Sequence, residues 1–163
     1  MAPDPTTPIA MGWRERVDLP LWHVRGVRAK IDTGARTSAI HVAGFEHLPN
    51  GRIRFEVVMR ERPQRRTKWV EADIIRESVV KPSSGQPQVR PVVRTTLAIG
   101  PLEIETEVGL VCRQGMLCRM LVGRRTIAGL AVVDPSRTYV LTSQSAKSPA
   151  RQPSSSQTPK ATP

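Results

Sequence analysis

Lys30-Ile31-Asp32-Thr33-Gly34-Ala35 follows directly on Val24–Ile31, a segment whose alternation of apolar and polar residues reads as a β-strand. A carboxylate at a strand end, then a small hydroxyl residue and a glycine, is what one half of a paired-carboxylate site needs. The aspartate acts on a water, the threonine can tie its loop to a second copy, and the glycine permits a tight turn and close approach. The quartet occurs once. The chain therefore supplies one carboxylate of a pair, and the expectation is a homodimer. Asp-Thr-Gly is also an ordinary turn sequence, so the surroundings must decide between the two.

Near the other end, Arg119-Met120-Leu121-Val122-Gly123-Arg124-Arg125-Thr126-Ile127-Ala128-Gly129 runs three apolar residues into Gly123-Arg124. One or two helical turns and a glycine stop follow. Leu130–Val133 reads as a strand, Asp134-Pro135-Ser136-Arg137 as a turn capped by Asp134, and Thr138–Leu141 as a last strand. Between these ends, segments rich in Val, Ile and Thr predict strands over Arg14–Leu19, His23–Ile31, Thr37–Val42, Arg52–Met59, Lys68–Ile75, Val89–Ile99 and Leu102–Leu110. Within the last, Ile104, Thr106 and Val108 alternate with Glu103, Glu105 and Glu107. The pattern is all-β.

In this order the motifs resemble retropepsins, the single-lobe aspartic proteases. Five stretches carry a closer resemblance: Gly12–Glu15, Ala29–Ser38, Arg90–Leu97, Arg119–Arg124 and Val133–Tyr139. They are similar to a bacterial retropepsin-like family associated with RimK/LysX-type ATP-grasp ligases, whose members are often labelled ATP-dependent zinc proteases. The resemblance covers residues 11–141. It implies a single-lobe closed barrel with one short helix near the C-terminus. It also implies Asp32 as the catalytic residue of an aspartic endopeptidase, with Thr33, Gly34 and Ala35 forming the active-site loop. Leu121, Val122, Gly123 and Arg124 become the segment supporting that loop, with Gly123 allowing close passage beneath it. The associated ligases attach acidic residues to proteins, so the implied substrate is an acidic or glutamate-modified tail and the implied partner is such a ligase.

Viral retropepsins follow the alanine with an acidic residue that pairs with the later arginine. Here that position is Arg36, so Arg124 needs another partner, and Asp134 and Glu15 are the candidates. Arg36 itself either holds an acidic substrate side chain or is a solvated or ion-paired charge. The segment Glu61–Arg90 is longer than a minimal retropepsin needs, and reads as a flap over substrate or as an exposed hairpin.

The label's zinc and ATP find no motif. His23, His41 and His47 form no His-Glu-x-x-His, and no Gly-x-x-x-x-Gly-Lys-Ser/Thr loop occurs. No cofactor and no metal are expected. Cys112 and Cys118 are expected to be free thiols. No apolar run suggests a leader or membrane span, which makes the cytoplasm the default. Residues 1–10 are expected to be a flexible arm, 11–141 the β domain, and 142–163 a disordered Ser/Pro/Thr-rich tail. The net charge of +11 draws acidic partners, but no basic-aromatic platform for stacking bases appears, so nucleic acid is not the expected partner. Two other classes stay open beside the peptidase. One is a non-catalytic basic barrel that binds a ribosomal protein, RNA or the ligase; the other is a metal-dependent hydrolase.

Overall fold

The computed structural model describes residues 7–81, 85–113 and 115–142. Ten strands and one four-residue helix make up the fold: β1 (Ile9–Gly12), β2 (Arg14–Leu19), β3 (Val24–Asp32), β4 (Ser38–Leu48), β5 (Arg52–Arg60), β6 (Arg66–Val80), β7 (Gln88–Ile99), β8 (Leu102–Val111), β9 (Met120–Gly123), α1 (Arg124–Ile127) and β10 (Ala131–Asp134). Eight strands form one sheet in the order β2-β3-β9-β4-β5-β6-β7-β8. Further pairings of β2 with β7 and β4 with β8 curl it into a ring. β1 and β10 form a separate parallel pair.

Alternation decides what each strand buries. Along β3, Val24, Val27, Ala29 and Ile31 point inward while Arg25, Arg28 and Lys30 face solvent. The three-residue step from Val24 to Val27 coincides with a register shift opposite Val17 and Leu19. Gly26 absorbs it at φ 69°, a left-handed backbone that a β-branched residue resists. In β8, Ile104 and Val108 are buried while Glu103 and Glu105 are exposed, as the alternation predicts. The core gathers Met11, Leu19, Trp22, Ile53, Phe55, Leu97, Ile99, Leu110 and Met120 from both ends of the chain. Trp22 meets Phe55 edge-on, with ring centroids 5.1 Å apart.

β4 and β6 run on past the expected Val42 and Ile75, to Leu48 and Val80, and three boundaries near the ends of the domain also differ from the expectation. Ile9 and Ala10, assigned to the arm, are strand residues because they pair with Ala131 and Val132. Thr138–Leu141 is not a strand: the backbone N–H groups of Val140 and Leu141 donate to the Glu15 carboxylate instead of to a neighbouring strand. Thr142, assigned to the tail, is bonded to that same carboxylate. Residues 143–163, the rest of the expected tail, lie outside the described residues, as do 1–6 of the arm.

Candidate active site

β3 ends at Asp32, which lies beside Gly123 in the parallel β3–β9 ladder. The chain turns at once. Oδ1 of Asp32 accepts hydrogen bonds from the N–H groups of Gly34 (3.0 Å) and Ala35 (3.3 Å), so the half-buried carboxylate shapes its own loop. Thr33, Gly34 and Arg36 are exposed and Ala35 is half-buried.

The supporting segment grips this loop from below. The first N–H groups of a helix have no partner within the helix, and here the loop supplies them. Arg124 N–H donates to Ala35 O (2.8 Å) and Arg125 N–H to Arg36 O (3.2 Å). The Arg124 guanidinium donates to Gly34 O (3.1 Å). Arg124 therefore pairs with neither Asp134 nor Glu15; it holds three consecutive loop residues together with its neighbour. Asp134 instead accepts from the N–H and hydroxyl of Ser136 (2.9 and 2.6 Å) and lies 3.6 Å from Arg137. The Ser136 hydrogen bonds, above all, hold its carboxyl below the usual carboxylate range.

Gly123 is required by contact. A Cβ there would lie 2.5 Å from both C and O of Thr37, and these backbone atoms cannot rotate away. Gly123→Ala is expected to cost about 3 kcal/mol by overpacking and to displace the Asp32 loop. Urea denaturation would read the first effect and loss of hydrolysis the second; a fully stable, fully active variant would sink the argument.

A chain of hydroxyls lies under the loop that the sequence did not single out. Ser38 Oγ accepts from Gly123 N–H (3.0 Å) and is hydrogen-bonded to Thr126 Oγ1 (2.7 Å), which in turn is hydrogen-bonded to Thr106 Oγ1 (2.8 Å). The buried Ser38 and Thr126 thereby tie β4, β9, α1 and β8 to one point. Only the proximity of Ser38 to Asp32 in the sequence hinted at this; Thr106 and Thr126 carry no local signal.

The segment Glu61–Arg90 resolves into two different devices. The β5–β6 turn lies around residues 61–65. On the β6–β7 hairpin, Arg76, Ser78 and Val80 of β6 and Arg90 of β7 line a narrow groove against Thr37, Ser38 and Ala39, the residues that follow the Asp32 loop. In that groove Arg76 donates twice to one Glu107 oxygen (2.9 and 3.1 Å). The buried Nε of Arg90 has no hydrogen-bond partner among the described residues. Arg36, at the loop's edge, is exposed and has no ion pair among the described residues.

The histidines do not fit a zinc site. His41, nearly fully buried, already accepts the Arg113 N–H at Nδ1 (3.1 Å). Its cavity is lined by Arg65 and Arg119, cations that oppose a metal. His47 lies 3.7 Å from Glu77 on the exposed face of another strand pair. Among the described residues no three His, Cys, Asp or Glu side chains converge. Cys112 is exposed and Cys118 buried, both as free thiols. No helix among the described residues is long and apolar enough to cross a membrane.

Burial first, and the Arg119 guanidinium second, hold the His41 imidazole below its ordinary 6.5. The folded state thus takes up this proton less readily than the unfolded chain. Its contribution is fully present above pH 6.5 and is lost as pH falls towards the lower folded value. Melting temperatures of wild type and His41→Asn should therefore differ in slope only below that pH. Parallel slopes would remove His41 as the acid-sensitive group.

The likeness to known proteins follows the same frame. A solved structure of a protein of unknown function from Legionella pneumophila superposes with a TM-score of 0.68 and 24% identity, covering 83% of this chain and 99% of that one. It shares the fold. Relatives named probable alpha-L-glutamate ligase match at 28% identity in Shewanella pealeana and 30% in Parasynechococcus marenigrum, over 80% and 83% of this chain. The chain spans only 29% and 30% of those relatives' lengths. The family model described as retropepsin-like aspartic endopeptidase RimB matches residues 10–144. That span includes Asp32, its loop, the Gly123 crossing and α1, and the chain belongs to the RimB-like family of retropepsin-like aspartic endopeptidases.

Proposed function

We propose that two copies of this chain form an aspartic endopeptidase in which Asp32 and its symmetry mate activate one water. The observation that carries the reading is the Asp32 loop itself. A single half-exposed carboxylate ends β3, and Arg124, Arg125 and the Gly123 crossing hold its loop rigidly from below. Two such carboxylates brought close cannot both ionise, so the pair holds one proton. The ionised member takes a proton from the bridging water, which attacks the scissile carbonyl. The protonated member donates a hydrogen bond to the carbonyl oxygen as charge develops there. Transfer of a proton to the leaving amine completes hydrolysis. The exposed Thr33 ties one loop to the other, and the β6–β7 hairpin closes over the bound peptide and excludes water.

The substrate class in this reading is acidic. Arg76 and Arg90 line the groove, where Glu107 already pairs with Arg76, and Arg36 is exposed at the loop's edge, so glutamate side chains supply the carboxylates these cations accept. The ligase names of the relatives fit a functional link to glutamate addition, with this chain removing what a ligase adds.

Subunit mixing tests the shared dyad. Wild-type chains held at constant concentration are titrated with Asp32→Asn chains while sedimentation reports dimers. Activity on a glutamate-rich peptide should fall as mixed dimers form, because each carries one carboxylate. Activity that stays proportional to wild-type chains, with mixed dimers present, would refute a shared site.

A further inference from the structure

Away from the Asp32 loop, a concavity of about 700 Å³ is bounded by β2, β3, the β5–β6 hairpin and residues 115–119. Seven arginines line it, among them Arg16, Arg28, Arg60, Arg66 and Arg119. Glu61 is the one carboxylate among its described lining residues, and it is already shared by Arg119 (3.8 Å) and Arg65 (3.6 Å). Such a concentration of like charge is unfavourable on its own and is relieved by a bound polyanion. None of these residues lines the groove against Thr37, Ser38 and Ala39.

The location connects the two. Arg28, Lys30 and Asp32 alternate along β3, so their side chains share one face of the strand. At the rise of an extended chain, Arg28 lies about 13 Å from Asp32 and Arg25 about 23 Å. An extended peptide crossing the catalytic carboxylate and running back along β3 thus enters the basin four to seven residues later.

The lining also selects among polyanions. No aromatic side chain is among its described residues, so bases find no stacking surface. Its apolar part is Met59, Met116 and Leu117, flexible aliphatic groups suited to the methylenes of long acidic side chains. Its cations are all arginines, whose fork binds carboxylates in bidentate fashion.

We infer that the arginine basin is an exosite that holds an acidic stretch of a polypeptide several residues away from the scissile bond. Its purpose rests on the endopeptidase reading; its binding does not, and can be measured in chains unable to cleave. The probe is a fluorescein-labelled peptide of ten glutamates, bound to full-length Asp32→Asn protein and followed by anisotropy. Arg28→Ser combined with Arg66→Ser should weaken binding about tenfold or more. Arg54→Ser with Arg94→Ser, on other faces of the sheet, should change it less than about twofold. Phenylglyoxal footprinting of the Asp32→Asn chain should show Arg28 and Arg66 protected by the peptide, a readout that survives if the double variant folds poorly. Unchanged affinity in the basin variant, or no protection, would overturn the exosite. Tighter binding of a single-stranded RNA of equal charge, lost in the same variant, would also overturn it and assign the basin to nucleic acid. Loss of all cleavage by wild-type protein with binding intact would refute the peptidase reading and leave the basin as an acidic-peptide site.

Discussion

Asp32→Asn should lower peptide hydrolysis by about ten-thousand-fold while leaving the fold unchanged. That factor is the upper part of the range for losing a general acid–base group, and it applies because one substitution removes both carboxylates of the proposed homodimer. Asparagine keeps the size of the side chain, and its Oδ1 still accepts from Gly34 and Ala35 N–H, so the loop geometry survives. The amide has no capacity to take a proton from water. Initial rates from about pH 4 to pH 8, with and without chelator, and thermal melts on the same preparations would check both halves. A variant that keeps activity within about tenfold of wild type would sink the dyad. Cleavage that survives the substitution but disappears with chelator would move the chemistry to a metal.

The largest effect on stability is expected at Glu15, whose side chain is fully buried. One oxygen accepts from the N–H groups of Gly12 (2.8 Å), Val140 (2.9 Å) and Leu141 (3.1 Å), and the other from the N–H and hydroxyl of Thr142. The carboxylate thus fastens the β1–β2 bend to the chain after β10. Thr142 Oγ1 in turn accepts from Arg16 N–H (2.8 Å), which extends the clasp into β2. Glu15→Ala strands these donors without an acceptor and should cost about 4 kcal/mol. Glu15→Gln keeps one accepting oxygen and should cost about half as much. Urea denaturation reads both values. Two variants within about 0.5 kcal/mol of wild type would mean that the clasp contributes nothing.

Local sequence fixed a good deal, and the reason is that strands and turns are read from neighbours. Alternation placed β3 and the end of that strand at Asp32, and the apolar run into Gly123-Arg124 placed β9 and α1. The expectation of a last strand at Thr138–Leu141 failed, because a short segment does not say whether a partner strand exists. There the donors go to Glu15, more than a hundred residues earlier. The contacts that give the candidate site its rigidity have the same character. Ser38 meets Thr126 across 88 positions, Arg124 meets Gly34 O across 90, and Gly123 touches Thr37. No window of sequence contains such pairs; they exist only once the parallel β3–β9 register sets the supporting segment beneath the loop. The arginine basin was equally hidden. Its charges were countable from the start, but they belong to four separate segments, and only the curl of the sheet turns them towards one concavity. Neighbouring residues are enough to mark Asp32 as the end of β3 and Gly123 as the residue that must be small; what those two residues touch follows only from folding, because contact depends on register and not on order along the chain.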